Sequence, residues 1–120
     1  MKINLKALNP SFTLQTTNNI FDHSLYKKVV PQSLFAWQRV RLANHMAANG
    51  SQWFNIVKQY NSGTYNNQYM VLDLRRIKAG EFVDDDALWV VEQIPGLVLG
   101  QGRVLRNDAS TLNSTRLLKH

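Results

Sequence analysis

Two apolar runs of strand length, QYMVLDL at 68–74 and ALWVVEQI at 87–94, constrain this chain more than any other feature. Both are rich in β-favouring side chains and read as buried strands. A strand pair is marginal by itself in water, so these two need further strands or helices to cover them. The connection between them, IKAGEFVDDD with Gly80, is hairpin-like, and Pro95-Gly96 closes the second run. Asp84, Asp85 and Asp86 could suggest a metal site. Three adjacent acids on a loop point in different directions and have no spaced partners, so they read as a solvated turn, and neither metal nor cofactor is expected.

The cover comes from upstream. Residues 32–49 repeat apolar side chains at three- and four-residue steps without a proline, which predicts a helix. Pro31 suits the entry to that helix, and Asn49-Gly50 suits its end. Ser51 can then cap a second helix over 52–60, carrying Trp53, Phe54, Ile56 and Val57. Before the helix pair, FTLQTTNNIF at 12–21 predicts a short strand, and residues 22–31 a connection. The expected class is α+β, a helix pair packed on antiparallel strands, with residues 99–120 loose.

At 120 residues, 44% hydrophobic and 18% charged, the chain has the size and composition of one globular domain. No apolar run approaches the roughly 20 residues needed to span a bilayer. The first residues lack the apolar core of a signal peptide, so none is expected. The absence of cysteine rules out disulfides, thiolate metal sites and a cysteine nucleophile within these residues. Asn49 and Asn113 each begin an N-glycosylation pattern, meaningful only if the protein is secreted.

The formal net charge of +6 resides wholly in residues 1–60, where Lys2, Lys6, Lys27, Lys28, Arg39, Arg41 and Lys58 face Asp22 alone. Residues 61–120 balance seven bases with seven acids. A basic half can favour phosphates of nucleic acid or lipid headgroups. The bases are scattered with no run longer than two and no aromatic-basic motif, so nucleic acid is not an expected partner.

Motifs for common chemistries are missing. His23, His45 and His120 are not accompanied by a G-x-S-x-G elbow, and no H-E-x-x-H spacing occurs. Gly100-Gln101-Gly102 is too short for a dinucleotide fingerprint. What stands out is YNSGTYNNQY at 60–69, which crowds Asn61, Asn66 and Asn67 around Ser62, Gly63 and Thr64. Two readings stay open. The amides can satisfy turn backbone, with Gly63 supplying a positive φ. Alternatively, an Asn N–H can stabilise a developing oxyanion, at about 3–4 kcal/mol per donor.

The segments LQTTNNIFDHSLYKKVVP, WQRVRLANHMA, YNSGTYNNQYMVLDL and VEQIPG, in this order and spacing, resemble the phospholipase B-like proteins across residues 14–98. The resemblance implies a four-layer αββα sandwich of the N-terminal-nucleophile hydrolase kind, of which this chain is a single partial domain. It implies a lysosomal or secreted glycoprotein that hydrolyses ester or amide bonds of lipids. The nucleophile would be a cysteine exposed by self-cleavage, whose own α-amine serves as base. Asn61, Asn66 or Asn67 would stabilise the oxyanion, and Ser62, Gly63 and Thr64 would belong to the substrate loop. The family's nucleophile lies upstream of the matching segment, and residues after 98 depart from the family pattern. The chain is therefore expected to be a fragment, inactive alone, whose partners are an acyl substrate and the remainder of the same protein. The alternative is a catalytically inactive module that binds membranes or partners through its basic N-terminal half.

Overall fold

The computed structural model describes residues 11–80 and 85–103. These form β1 (Ser11–Thr17), α1 (Ala36–Met46), α2 (Gly50–Val57), β2 (Asn67–Asp73), β3 (Leu88–Ile94) and β4 (Leu97–Arg103). Two 3-10 turns, His23–Lys28 and Leu74–Arg76, lie between them. The strands make one antiparallel sheet in the order β1-β2-β3-β4, and the helices lie on one of its faces. The α+β class follows.

Strand alternation decides what the helices cover. Tyr69 and Val71 of β2 and Val91 of β3 project to the helical side and pack with Ala43, Ala47, Trp53 and Val57. The Trp53 and Tyr69 rings meet at 5.3 Å and 58°. Tilted aromatic pairs of this kind add about 0.5–1.5 kcal/mol to the gain from burial alone. β3, flanked by β2 and β4, is buried along nearly its whole length.

Several boundaries differ from those the sequence suggests. The first helix begins at Ala36 rather than 32, because Leu34 is held extended: it bridges Asn61, and its N–H donates to Tyr60 O at 2.9 Å. Pro31 therefore stands ahead of the helix without entering it. Asn49-Gly50, expected to end α1, instead opens α2: Asn49 Oδ1 accepts from Gln52 N at 2.9 Å. Ser51 sits inside the helix, and Asn49 is the cap. The second helix ends at Val57, short of 60, and Tyr60 turns into the left-handed region at φ 54°. The first strand stops at Thr17, short of 21, although Asn18 N still donates to Asn66 O, its opposite number in the register, at 2.9 Å.

Residues 99–103, expected to be loose, belong to β4, which pairs with β3 across the Pro95-Gly96 turn. The Gly100 position takes the Phe54 ring where a side chain would stand. The rest of that tail, with Asn113 and His120, lies outside the described residues, as does Asp84. No helix among the described residues is long and apolar enough to cross a membrane.

Candidate functional site

The loop from Tyr60 into β2 has an unusual backbone. Tyr60, Gly63 and Tyr65 all have positive φ, at 54°, 69° and 55°. Left-handed non-glycine residues gather where surrounding structure over-determines the chain, and such strain often marks functional sites. Gly63 is doubly constrained, since a Cβ there would lie 3.0 Å from both Pro95 Cα and Val29 Cγ2. The close approach it permits within this chain is to those two residues.

The three asparagines do different things. Asn61 Nδ2 donates to Ile94 O at 2.9 Å, and its Oδ1 accepts from Gly63 N at 3.0 Å. It ties the loop to the end of β3. Asn66 is buried; its Nδ2 donates to Gly63 O at 2.8 Å, and its Oδ1 accepts from Gln93 Nε2 at 3.0 Å. Asn67, also buried, donates to Gln15 Oε1 at 3.4 Å. Ser62 is buried behind the loop, where Thr64 Oγ1 donates to its Oγ at 3.1 Å.

Two residues outside the stretch complete the arrangement. Arg39 of α1 is 1% exposed and donates from Nε to Leu34 O (2.9 Å) and from Nη1 to Val57 O (2.5 Å). Its Nη2 donates to Gln93 Oε1 at 2.8 Å and, more weakly, to Ser62 Oγ at 3.4 Å. Gln93 Nε2 in turn donates to Thr64 O at 3.1 Å. Burial pulls the Arg39 pKa below its ordinary value, opposed by the neighbouring Tyr69. An arginine keeps its charge at neutral pH even so. Burial also raises the Tyr69 phenol, partly offset by its hydrogen bond with Asn67. Neither Arg39 nor Gln93 stood out in the sequence. A signal existed for the first: Ala36, Arg39 and Ala43 share the buried face of α1, where a charge is out of place.

Two cavities adjoin the loop. One of about 350 Å³ is lined by Gly63, Thr64, Asn66 and Asn67 together with Asn18 and Tyr26. The other, about 630 Å³, includes Phe35, Trp37, Val40, Tyr65 and Tyr69, with Arg41 also in its lining, and both cavities are mainly apolar. Thr64 and Tyr65 line both. The structure thus gathers Gly63, Thr64, Asn66 and Asn67 around one space, while Asn61 and Ser62 line neither. His45 lines the larger cavity from the exposed face of α1, its Nδ1 at 2.8 Å from Arg41 O. Asn49 is exposed, with its Oδ1 engaged as the α2 cap. Among the described residues no group of three or more His, Asp or Glu side chains could hold a metal ion.

The sequence matches the family model Phospholipase B over residues 10–110. It is 55% identical over 96 residues to "Phospholipase B" of Crotalus adamanteus, covering 78% of this chain and 17% of that protein. It is 56% identical over 85 residues to "Phospholipase B-like 1" of Bos taurus, covering 71% of this chain and 16% of that protein. With "Phospholipase B-like protein G" of Dictyostelium discoideum it shares 42% identity over 90 residues, 71% of this chain and 15% of that protein. The chain therefore spans less than a fifth of the length of these relatives. The family match also runs past residue 98 through the whole of β4, so residues 99–103, expected to lie outside the family segment, lie within it. On the strength of a match across most of its residues, this chain belongs to the phospholipase B family.

Proposed function

We propose that these residues form one wall of an acyl-hydrolysing site in a phospholipase B-like enzyme acting on lipids. The sheet and its two helices would be two adjacent layers of an αββα sandwich. The nucleophile would be a cysteine outside these 120 residues, since none is among them. The observation that carries the reading is the amide-lined cavity: Asn66 and Asn67 border it beside Gly63, and Thr64 and Tyr65 separate it from an apolar cavity of about 630 Å³. A carbonyl beside the amides and an apolar chain beyond Tyr65 would divide an acyl substrate between the two spaces, consistent with apolar pockets that place a few polar groups to fix orientation. Asn66 is the preferred oxyanion donor. Its Nδ2 carries two hydrogens, one of which is used by Gly63 O.

The reading extends to a lysosomal or secreted glycoprotein, for which exposed Asn49 is the carbohydrate site offered by the described residues. The test replaces the positions matching Asn61, Asn66 and Asn67 by Ala, one at a time, in a complete, active relative. Loss of the oxyanion donor is expected to lower kcat by about 10²–10³. The expected order places Asn66 first and Asn61 last. Full hydrolysis by all three variants would make the loop purely structural.

A further inference from the structure

We infer that Arg39 and Gln93 are positioning residues: together they fix which atom of the Asn66 amide faces the loop. The direction follows from the two ends of the chain of bonds. A guanidinium can only donate, so Arg39 Nη2, at 2.8 Å, compels Gln93 to present Oε1. Gln93 Nε2 must then point the other way, where it meets Thr64 O at 3.1 Å and Asn66 Oδ1 at 3.0 Å. Asn66, with its oxygen engaged, turns Nδ2 toward Gly63 O at 2.8 Å. A backbone carbonyl can only accept, so the far end demands the same orientation as the near one. Reversing either amide would set donor against donor at Arg39 or oxygen against oxygen at Thr64 and Gly63.

The Arg39 and Gln93 members of the relay are sealed from water, while Asn66, 8% exposed, borders the cavity. Arg39 is 1% exposed and Gln93 0%. Buried amides that lose a partner incur the full desolvation penalty, so a flipped Gln93 has no solvent to rescue it. The charge at one end also polarises the amides in sequence, since hydrogen bonds in a chain strengthen one another in a low dielectric. Asn66 is therefore presented as a donor beside the amide-lined cavity without having to reorganise. The orientation stands on these contacts alone; its consequence for catalysis rests on the reading of Asn66 as oxyanion donor.

Two near-isosteric variants of the full chain separate three roles for Gln93. Gln93→Met keeps volume and removes both polar functions. Gln93→Glu keeps an acceptor for Arg39 and removes the donor to Asn66 and Thr64. The readout is backbone hydrogen exchange by mass spectrometry at low micromolar concentration, comparing residues 61–67 with residues 36–46 of α1. The relay is expected to raise exchange at 61–67 by about tenfold or more in both variants, as the loss of a buried hydrogen bond allows, with a much smaller change in α1. Unchanged exchange in Gln93→Met would reduce Gln93 to a space filler. A loosened Met variant beside a protected Glu variant would reduce it to an acceptor for Arg39. Either result overturns the relay. Should Gln93→Glu unfold, with α1 losing protection too, the acceptor role fails and the Met variant decides between relay and packing. In a complete relative, the matching Gln→Glu change is expected to lower kcat with KM unchanged. Full activity after Asn66→Ala there would end the oxyanion reading while leaving the exchange result, and hence the relay, intact.

Discussion

Gly63 shows how one residue can answer to two constraints at once. Its φ of 69° disfavours any side chain, and Pro95 Cα and Val29 Cγ2 would each stand only 3.0 Å from a Cβ there. Gly63→Ala is expected to lower stability by about 1–2 kcal/mol from the left-handed backbone. The measurement is a denaturant midpoint at low micromolar concentration; a shift within error would mean that the loop relaxes freely. The positive φ at Gly63 was legible in the sequence, because a glycine among amides is a turn signal. The work of the asparagines was not. Asn61 answers to Ile94, 33 positions away, and Asn66 to Gln93, 27 positions away. Local composition announces hydrogen-bonding capacity and leaves the partner unspecified.

Among the elements, β2 was the most legible, because it alternates buried and half-buried residues along its whole length. Its end is tied down electrostatically. Asp73 accepts from Arg75 N at 3.1 Å, Nε at 2.9 Å and Nη2 at 2.8 Å, and Arg75 Nη2 also donates to Ala48 O at the α1–α2 junction. The hydrogen bonds from the Arg75 side chain hold the Asp73 carboxyl below its ordinary pKa, against the opposing effect of burial. A depressed carboxylate stabilises the fold above its unfolded pKa, near 3.9, and that contribution disappears as pH falls through the lower folded value. Wild-type protein is therefore expected to lose stability on acidification below about pH 4 more steeply than Asp73→Asn, which should already be weaker at neutral pH. Parallel acid titrations of the two, followed by circular dichroism, check this; identical slopes would remove Asp73 from the account. β4 was harder to read, since Gly100 and Gly102 weaken a strand pattern. Gly100 is there because the Phe54 ring needs its space, a demand made by a helix more than forty positions upstream.

At the scale of the molecule, the two sheet faces differ. One carries the helices. On the other, register places Phe12 and Leu14 of β1 in line with Leu72 and Met70, and Leu97 and Leu99 with Ile94 and Glu92. Phe12 is 53% exposed, Leu14 49%, Leu97 41% and Leu99 37%. Both edge strands, β1 and β4, thus carry uncovered apolar side chains, a combination that invites association. The chain alone is expected to self-associate as concentration rises, and Leu14→Lys with Leu99→Lys to suppress this. Sedimentation of both forms is the measurement, and a wild-type chain that stays monomeric and melts cooperatively would contradict it.

The sequence by itself determined the class of fold, the two central strands, the helix pair and the family. Those rest on local periodicity and on a long, irregular run of residue types around Asn61, Asn66 and Asn67. Only the structure decided where α1 begins, that Asn49 rather than Ser51 caps α2, that a fourth strand extends the sheet, and that a buried Arg39 bonds Gln93, which in turn bonds Asn66. The start of α1 and the Arg39–Gln93–Asn66 chain of bonds depend on contacts between residues distant in sequence, such as Leu34 with Tyr60 or Arg39 with Gln93. The Asn49 cap and the β3–β4 pairing are local. Periodicity records which face of an element is buried; it carries no record of which polar atom will meet it there.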